Sequence, residues 1–192
     1  MLKITGGALR GRNLKSPPGL DTRPTGAKVR QALFNILGAR VAGVRLADLY
    51  AGPGTLGIEA LSRGAASCLF VEHRREAAAI LRANLVALAL TPQAQVLVGD
   101  AGLASPALMS LGPRELVLAD PPYNQGQVSR LLALCAAGFL APGGLLVLEH
   151  APQEPPAPPP GLVLVDQRRY GQTWLSFLTP RPAEPMAERS SS

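Results

Sequence analysis

Residues 46–57, with the sequence LADLYAGPGTLG, constrain the fold of this 192-residue chain more than any other stretch. A buried apolar segment leads into a tight turn, and Thr55 begins a helix beyond it. Gly52, Gly54 and Gly57 fit the spacing G-x-G-x-x-G, which is found where a strand turns sharply into a helix beside a ligand. Two ligands are compatible with this pattern: the pyrophosphate of a dinucleotide, or S-adenosylmethionine (SAM), which has no phosphate.

Apolar strands and amphipathic helices alternate from residue 45 onwards. The pattern predicts strands at 45–51, 68–72, 95–99, 115–120 and 144–150, and helices at 55–63, 74–90, 104–111 and 126–138. Continuous apolar strands are typical of a parallel sheet covered by helices on both faces. A proline-rich connector, 151–161, and two apolar segments around Tyr170–Gln172 predict a closing antiparallel hairpin. We therefore expect a doubly wound α/β domain over 45–180 and a disordered tail over 181–192.

Positive charge is concentrated at the start of the chain. Residues 1–45 contain nine Lys or Arg and one acid, a net charge of +8. Residues 46–192 contain ten Lys or Arg and twelve acids, a net charge of −2. Residues 1–44 predict a short hairpin over 2–15 and an amphipathic helix from an N-cap at Thr25 to about Gly38. We expect this basic hairpin-plus-helix extension to bind RNA phosphates through Arg10, Arg12, Lys15, Arg23 and Arg30.

The chain has few side chains that could bind a metal ion or form a disulfide bond. Cys68 and Cys135 lie in apolar segments, and neither His73 nor His150 has a cysteine at ligand spacing. The basic N-terminus lacks the apolar core of a secretory signal, and no apolar run approaches the length of a membrane span. We therefore expect a soluble, cytoplasmic and monomeric protein without a metal ion or a membrane partner.

Acidic side chains follow four successive predicted strands: Asp48, Glu72, Asp100 and Asp120. Ligands of open α/β sheets bind outside the carboxyl ends of the strands, so we expect these acids to line one site. Glu72 suits a ribose diol and Asp100 an adenine amino group. The acids, and the absence of basic residues from 46–62, favour SAM, which carries an ammonium and a sulfonium cation. The predicted cofactor contacts are Asp48, Tyr50, Ala51, Gly52, Gly54, Thr55, Glu72, His73, Asp100 and Ala101.

The stretch Asp120-Pro121-Pro122-Tyr123 predicts the chemistry. Consecutive prolines have a fixed φ and no N–H, so their carbonyls are rigidly aimed. An exocyclic amine of a nucleobase is a poor nucleophile, because its lone pair is delocalised into the ring. The Asp120 carboxylate and the Pro121 carbonyl can accept its two N–H bonds, and Tyr123 can stack on a base taken out of its helix. We predict methyl transfer to such an amine, with Asp120, Pro121, Pro122 and Tyr123 as catalytic residues.

Over about residues 3–179 the chain resembles the class I SAM-dependent methyltransferases, and more closely the RsmD family of 16S rRNA guanine-N2 methyltransferases. The resemblance implies a Rossmann-like sheet of seven strands in the order 3-2-1-4-5-7-6. It implies SAM as donor and guanine 966 of 16S rRNA, in the usual rRNA numbering, as acceptor on the assembled small subunit. Pro53 departs from the family, which commonly has Ser there. The matching stretches run from Ile4 to Leu14, Arg23 to Leu37, Asp48 to Ala65, Asp120 to Tyr123 and Tyr170 to Thr173.

Three other functions remain open from the residues alone. A DNA adenine-N6 methyltransferase shares the DPPY stretch, but the chain has no evident target-recognition domain. A non-catalytic RNA-binding ribosome-assembly factor would keep the fold without the chemistry, and the intact strand-end acids count against it. A dinucleotide oxidoreductase would use the same glycine spacing, but the acids beside the turn disfavour a pyrophosphate.

Overall fold

The computed structural model describes residues 2–16, 24–102, 106–122 and 126–182. The predicted Arg23 and Tyr123 contacts lie outside these ranges, as does most of the predicted tail, 183–192. The elements, in chain order, are β1 (Leu2–Lys3), β2 (Asn13–Leu14), α1 (Pro24–Leu37), β3 (Arg45–Leu49), α2 (Thr55–Ser62), β4 (Ser67–Glu72), α3 (Arg75–Ala87), β5 (Ala94–Val98), α4 (Pro106–Met109), β6 (Arg114–Ala119), α5 (Gln127–Leu134), β7 (Leu140–His150), β8 (Leu162–Tyr170) and β9 (Thr173–Pro180).

Seven strands form one mixed sheet in the order β5-β4-β3-β6-β7-β9-β8. Counted from β3, this order is 3-2-1-4-5-7-6, which confirms the predicted topology. Strands β3 to β7 pair in parallel, and β9 is antiparallel to both β7 and β8, so the closing hairpin is also confirmed. The C-terminal ends of the five parallel strands meet at one side of the sheet, which we call the carboxyl edge.

Side chains alternate between two buried layers, one on each face of the sheet. Leu46 and Leu118 pack on the face that α1, α2 and α3 cover, whereas Ala47 and Val117 pack on the face that α4 and α5 cover. Because the side-chain period of a strand is two, the direction of each strand-end residue follows from these layers. Asp48, two residues after Leu46, therefore points to the same face as α1.

The N-terminal extension shares a core with the sheet. Leu2, Ile4 and Leu14 of the hairpin are buried in the same apolar cluster as Val29 and Leu33 of α1, and this cluster continues into the strands. The hairpin itself is confirmed, with β1 antiparallel to β2. Apolar burial therefore fixes the extension on the body.

Several predicted element ends were wrong. Helix α3 ends at Ala87 rather than at about 90, α4 ends at Met109 rather than at 111, and β7 begins at Leu140 rather than at 144. Helix α1 begins at Pro24 rather than after an N-cap at Thr25, and proline is favoured at the first helical position because it needs no N–H partner there. Helix α5 ends at Leu134, and a π-type turn over Cys135–Phe139 follows, in which Gly138 has φ of 102°. No helix of the described ranges is long and apolar enough to cross a membrane.

Candidate active site

Two carboxylates hold the glycine turn that joins β3 to α2. The backbone N–H of Gly52 donates to Glu72 Oε2 at 2.7 Å, and the N–H of Gly57 donates to Asp48 Oδ2 at 2.7 Å. Both acids are almost completely buried. Hydrogen bonds from backbone N–H groups to a carboxylate are stronger than those between neutral groups, so the acids fix the path of the turn.

The three glycines of the turn have different surroundings, and of the two predicted as cofactor contacts, Gly52 and Gly54, only Gly52 lines the cleft described below. A Cβ on Gly57 would lie 2.3 Å from Phe70 Cε1, and one on Gly54 would lie 2.3 Å from Leu81 Cδ1. Internal packing therefore requires those two glycines, and Gly54 does not line the cleft described below. A Cβ on Gly52 would meet nothing within 4 Å, and Gly52 alone of the three lines the cleft.

A cleft of three adjoining cavities runs along the carboxyl edge, and Tyr50 borders all three. The first, of about 480 Å³, is bordered by Glu72 and Asp120. The second, of about 190 Å³, surrounds Asp100, and the third, of about 550 Å³, extends from Asp120 to α1. The structure brings twelve of the residues predicted for cofactor binding or catalysis to this cleft: Asp48, Tyr50, Ala51, Gly52, Thr55, Glu72, His73, Asp100, Ala101, Asp120, Pro121 and Pro122.

Tyr50 separates the first two cavities and is itself strained. Its φ of 66° is uncommon for a residue other than glycine, and such residues cluster at functional sites. Its hydroxyl donates to Gln127 Oε1 at 3.2 Å. Burial, and to a lesser extent the charge of Asp100, raise the pKa of Tyr50, so the phenol stays protonated as a donor.

The hydrogen-bond acceptors around the first two cavities fit the adenosine part of SAM. Glu72 Oε1 accepts from the backbone N–H of Arg74 at 2.8 Å, and its other oxygen accepts from the glycine turn, so the carboxylate is fixed. Each oxygen retains lone-pair capacity for a ribose hydroxyl. Asp100 Oδ1 accepts from the N–H of Gly102 at 2.8 Å, which holds this acid at the second cavity.

A pair of carboxyl groups lines the third cavity, and one of them, Asp120, also borders the first. The register of β6 and β7 pairs Ala119 with Leu148, so the next pair is Asp120 and Glu149. Asp120 is open to the cleft, but protein surrounds it on its other sides, and this desolvation raises its pKa. Desolvation and the charge of Asp120 also raise the pKa of Glu149. Burial raises the pKa of Asp48 to about 8.

Sequence reasoning missed Glu149, although the signal was available. The four acids predicted for the site follow the first four parallel strands, and Glu149 is the corresponding acid of the fifth, β7. It lines the third cavity together with Asp48 and Asp120. Within the described residues, no group of three or more His, Cys, Asp or Glu side chains is arranged to hold a metal ion.

The basic residues of the extension divide into exposed and buried groups. Arg10, Arg12 and Lys15 are exposed. Arg30 is only 6% exposed, its Nη2 donates to the carbonyl of Lys3 at 2.8 Å, and its Nε lies 3.6 Å from Glu59 Oε2. Arg30 is therefore paired within the protein at the wall of the third cavity, which counts against its predicted contact with RNA phosphates.

Asn84, a second residue that sequence reasoning missed, connects the extension to the cofactor turn. Its Nδ2 donates to the carbonyls of Lys15 and Pro53, both at 3.0 Å, and its Oδ1 accepts from the N–H of Lys15 at 2.8 Å. Asn84 is 3% exposed. The loop that follows β2 is thus fixed against the turn that contains Pro53, the residue that departs from the resembled family.

Several known proteins are similar to this chain over most of its length. YlbH of Bacillus subtilis (strain 168) is 38% identical over 184 residues, 94% of this chain and 100% of the relative. The Ribosomal RNA small subunit methyltransferase D of Escherichia coli (strain K12) is 34% identical over 154 residues, 77% of this chain and 74% of the relative. The solved structure of yhhF from Escherichia coli superposes with a TM-score of 0.81 at 32% identity, covering 93% of this chain and 97% of that one.

The model of the family described as conserved hypothetical protein 95 matches residues 2–179. This match includes the hairpin, α1 and all seven strands of the sheet except the last residue of β9. It confirms the resemblance drawn from the motifs. The chain belongs to this family, the RsmD family of methyltransferases.

Proposed function

We propose that this protein transfers a methyl group from SAM to the exocyclic N2 of a guanine in 16S rRNA, guanine 966 by family resemblance. The observation that carries the proposal is the position of the Asp120-Pro121-Pro122 turn, which borders the same cleft as Glu72 and the glycine turn. A methyl donor and a nucleobase amine can therefore occupy adjoining parts of one cleft. The relatives named rRNA methyltransferases support rRNA as the acceptor.

The acids of the cleft fit a cationic cofactor. When bound, SAM supplies an electrophilic methyl group on a positively charged sulfur. Glu72 would hold the ribose and Asp100 the adenine, while Asp120 adds negative charge to the cavity that the glycine turn borders. An anionic pyrophosphate would meet these same charges unfavourably, which disfavours a dinucleotide.

The turn after β6 orients the acceptor. The ionised Asp120 carboxylate and the carbonyl of Pro121 accept the two N–H bonds of the amine, which directs the nitrogen lone pair away from them and towards the methyl donor. The nitrogen must lose one proton as it gains the methyl group, and the Asp120 carboxylate is placed to accept it. Positioning and electrostatics therefore account for the catalysis, with no covalent enzyme intermediate.

The exposed basic residues of the extension hold the RNA. Arg10 and Arg12 lie in the turn of the N-terminal hairpin, and Lys15 follows β2. We propose that they contact phosphates of rRNA in the assembled small subunit, where a folded RNA surface offers several phosphates to a rigid basic hairpin.

Labelled methyl transfer tests this function. Protein and labelled SAM are incubated with naked 16S rRNA, with assembled small subunits and with DNA, and the labelled nucleoside is then identified. We expect N2-methylguanosine, and more of it from the subunits than from naked RNA. Labelled N6-methyladenine in DNA would instead identify a DNA methyltransferase. If calorimetry detected no binding of SAM, the protein would instead be a non-catalytic factor.

A further inference from the structure

Glu149 lies beside the proposed catalytic acid without a role in the chemistry described above. The last register pair of β6 and β7 is Ala119 with Leu148, so Asp120 and Glu149 each follow one residue later, and both line the third cavity. The residues two positions before them, Leu118 and Val147, are buried in the same apolar layer, so both carboxyl groups point to the same face of the sheet. Neighbouring strands lie about 4.8 Å apart, which places the two carboxyl groups within reach of one ligand.

The surroundings leave Glu149 available to a ligand. It is half-buried and lines the third cavity, and its carboxyl group makes no hydrogen bond to any part of the chain that the structure describes. The charged residues that line this cavity with it are Arg30 from α1, Asp48 from β3, Arg74 and Asp120. Arg30 is bonded to the carbonyl of Lys3 and Arg74 lies beside Glu72, so each arginine has another partner.

We propose that Glu149 determines specificity for guanine by accepting the N1–H of the target base, while Asp120 and Pro121 hold its 2-amino group. This inference rests on the proposed function. Guanine presents N1–H and the 2-amino group side by side on its Watson–Crick edge, so two neighbouring carboxylates match two neighbouring donors. Adenine presents an acceptor at N1, which an ionised carboxylate would repel.

The protonation of Glu149 follows from the same neighbours. In the free protein, desolvation and the charge of Asp120 favour a proton on this carboxyl pair. A cationic methyl donor in the cleft favours the ionised forms, since opposite charge lowers the pKa of a carboxyl group. Binding of SAM near neutral pH should therefore release a proton and prepare Glu149 to accept the N1–H.

The test replaces the target guanine with 2-aminopurine, which keeps the 2-amino group but has an acceptor at N1. Small-subunit RNA with either base is made by ligation, and kcat/KM is measured for both. We expect the wild-type protein to prefer guanine by about tenfold or more, because a hydrogen bond to a charged group is absent with 2-aminopurine. Glu149→Gln should reduce this preference severalfold, since an amide can donate to the N1 of 2-aminopurine.

A binding measurement separates specificity from chemistry. The dissociation constants of the guanine RNA and the 2-aminopurine RNA are measured with S-adenosylhomocysteine present. The preference for guanine in binding should fall in Glu149→Gln, as the preference in kcat/KM does. Glu76→Gln, an exposed carboxylate on α3, should leave the ratio unchanged. A purely structural Glu149 would alter both substrates equally in the Gln variant. That result, or a wild-type protein that accepts both bases equally well, would overturn the inference. Absence of any N2-methylguanosine from the wild-type protein would instead refute the proposed function.

Discussion

The carboxylate of Glu72 accepts a hydrogen bond from the backbone N–H of Gly52, with 2.7 Å between oxygen and nitrogen. Glu72 is the last residue of β4 and Gly52 lies in the turn after β3, so this contact joins two neighbouring strand ends. The acid proposed to hold the ribose thus also fixes the turn beside it. Loss of Glu72 would therefore remove the proposed ribose contact and also release the glycine turn beside it.

The two outer glycines of the turn should respond differently to alanine. Gly57→Ala should lower the free energy of unfolding by about 1–3 kcal/mol, because its Cβ would overlap Phe70. Gly52→Ala should cost only about 1–2 kcal/mol, since its φ of 54° is unfavourable but its Cβ meets no atom within 4 Å. Denaturant unfolding and SAM calorimetry distinguish them. Gly52→Ala should weaken SAM binding more than Gly57→Ala does, and the reverse order would contradict the cleft assignment.

Asp48 should make stability fall as the pH rises. Its pKa is about 8 in the folded protein and about 3.9 in an unfolded chain, so the folded state holds the extra proton between these values. The contribution of Asp48 to the free energy of unfolding is thus greatest below about pH 4. It declines towards pH 8 by at most about 1.4 kcal/mol per pH unit. Asp48→Asn should reduce that slope, because its amide oxygen still accepts from Gly57 without titrating. Urea unfolding from pH 5 to 8 measures the slope, and equal slopes in both proteins would refute the assignment.

Glu59 should hold the extension on the body. Its fully buried carboxylate accepts from the N–H and the hydroxyl of Thr5, both at 2.7 Å, and pairs with Arg63 at 2.8 Å. Glu59→Gln should destabilise the protein by about 3–5 kcal/mol, because the buried Arg30 and the half-buried Arg63 would lose their anionic partner.

Hydrogen exchange locates this effect. In Glu59→Gln, amides of the hairpin over 2–14 should lose protection before those of β3. Glu115→Gln removes an exposed partner of Arg45 and serves as the control, with an expected loss below about 1 kcal/mol. Equal stability of the two variants would show that the Glu59 ion pairs contribute nothing.

Asp120 should be required for methyl transfer but not for the cofactor. Asp120→Asn keeps the shape of the side chain but cannot accept a proton, so kcat should fall by about 100-fold or more. The dissociation constant for SAM should change little, since the Glu72 side of the cleft is intact. Single-turnover transfer and calorimetry measure the two quantities separately. A variant with normal turnover would refute the catalytic role of Asp120.

The hairpin arginines should control RNA affinity through charge. Arg10→Ala with Arg12→Ala should weaken binding and should lower the slope of log affinity against log salt by about one for each phosphate that is no longer neutralised. Arg45→Ala, an exposed arginine at the opposite, amino-terminal end of β3, is the matched control. Filter binding at several salt concentrations gives both slopes. Identical slopes for the double variant and the control would exclude the hairpin as the RNA surface.

The fold was predictable because its signals are local in the sequence. Continuous apolar strands, glycine and proline breaks, and the spacing of the turn at 50–57 each follow from backbone geometry and hydrophobic burial. The strand order came from the resemblance, and the structure confirms it. The acids at the ends of the strands were predictable too, because parallel strands deliver their C-terminal residues to one edge.

Only the tertiary structure decided what each of those residues contacts. A basic side chain such as Arg30 looks like a phosphate ligand in the sequence, but folding buries it beside Glu59. The spacing of Gly54 and Gly57 suggests a ligand cradle, but their missing Cβ atoms make room for Leu81 and Phe70. The sequence by itself determined which elements form and where most of them lie, because that depends mainly on neighbouring residues, although several element ends differ by two to four residues. The partner of each charge and the space beside each glycine depend on strand register and packing between distant segments, which only the folded chain specifies.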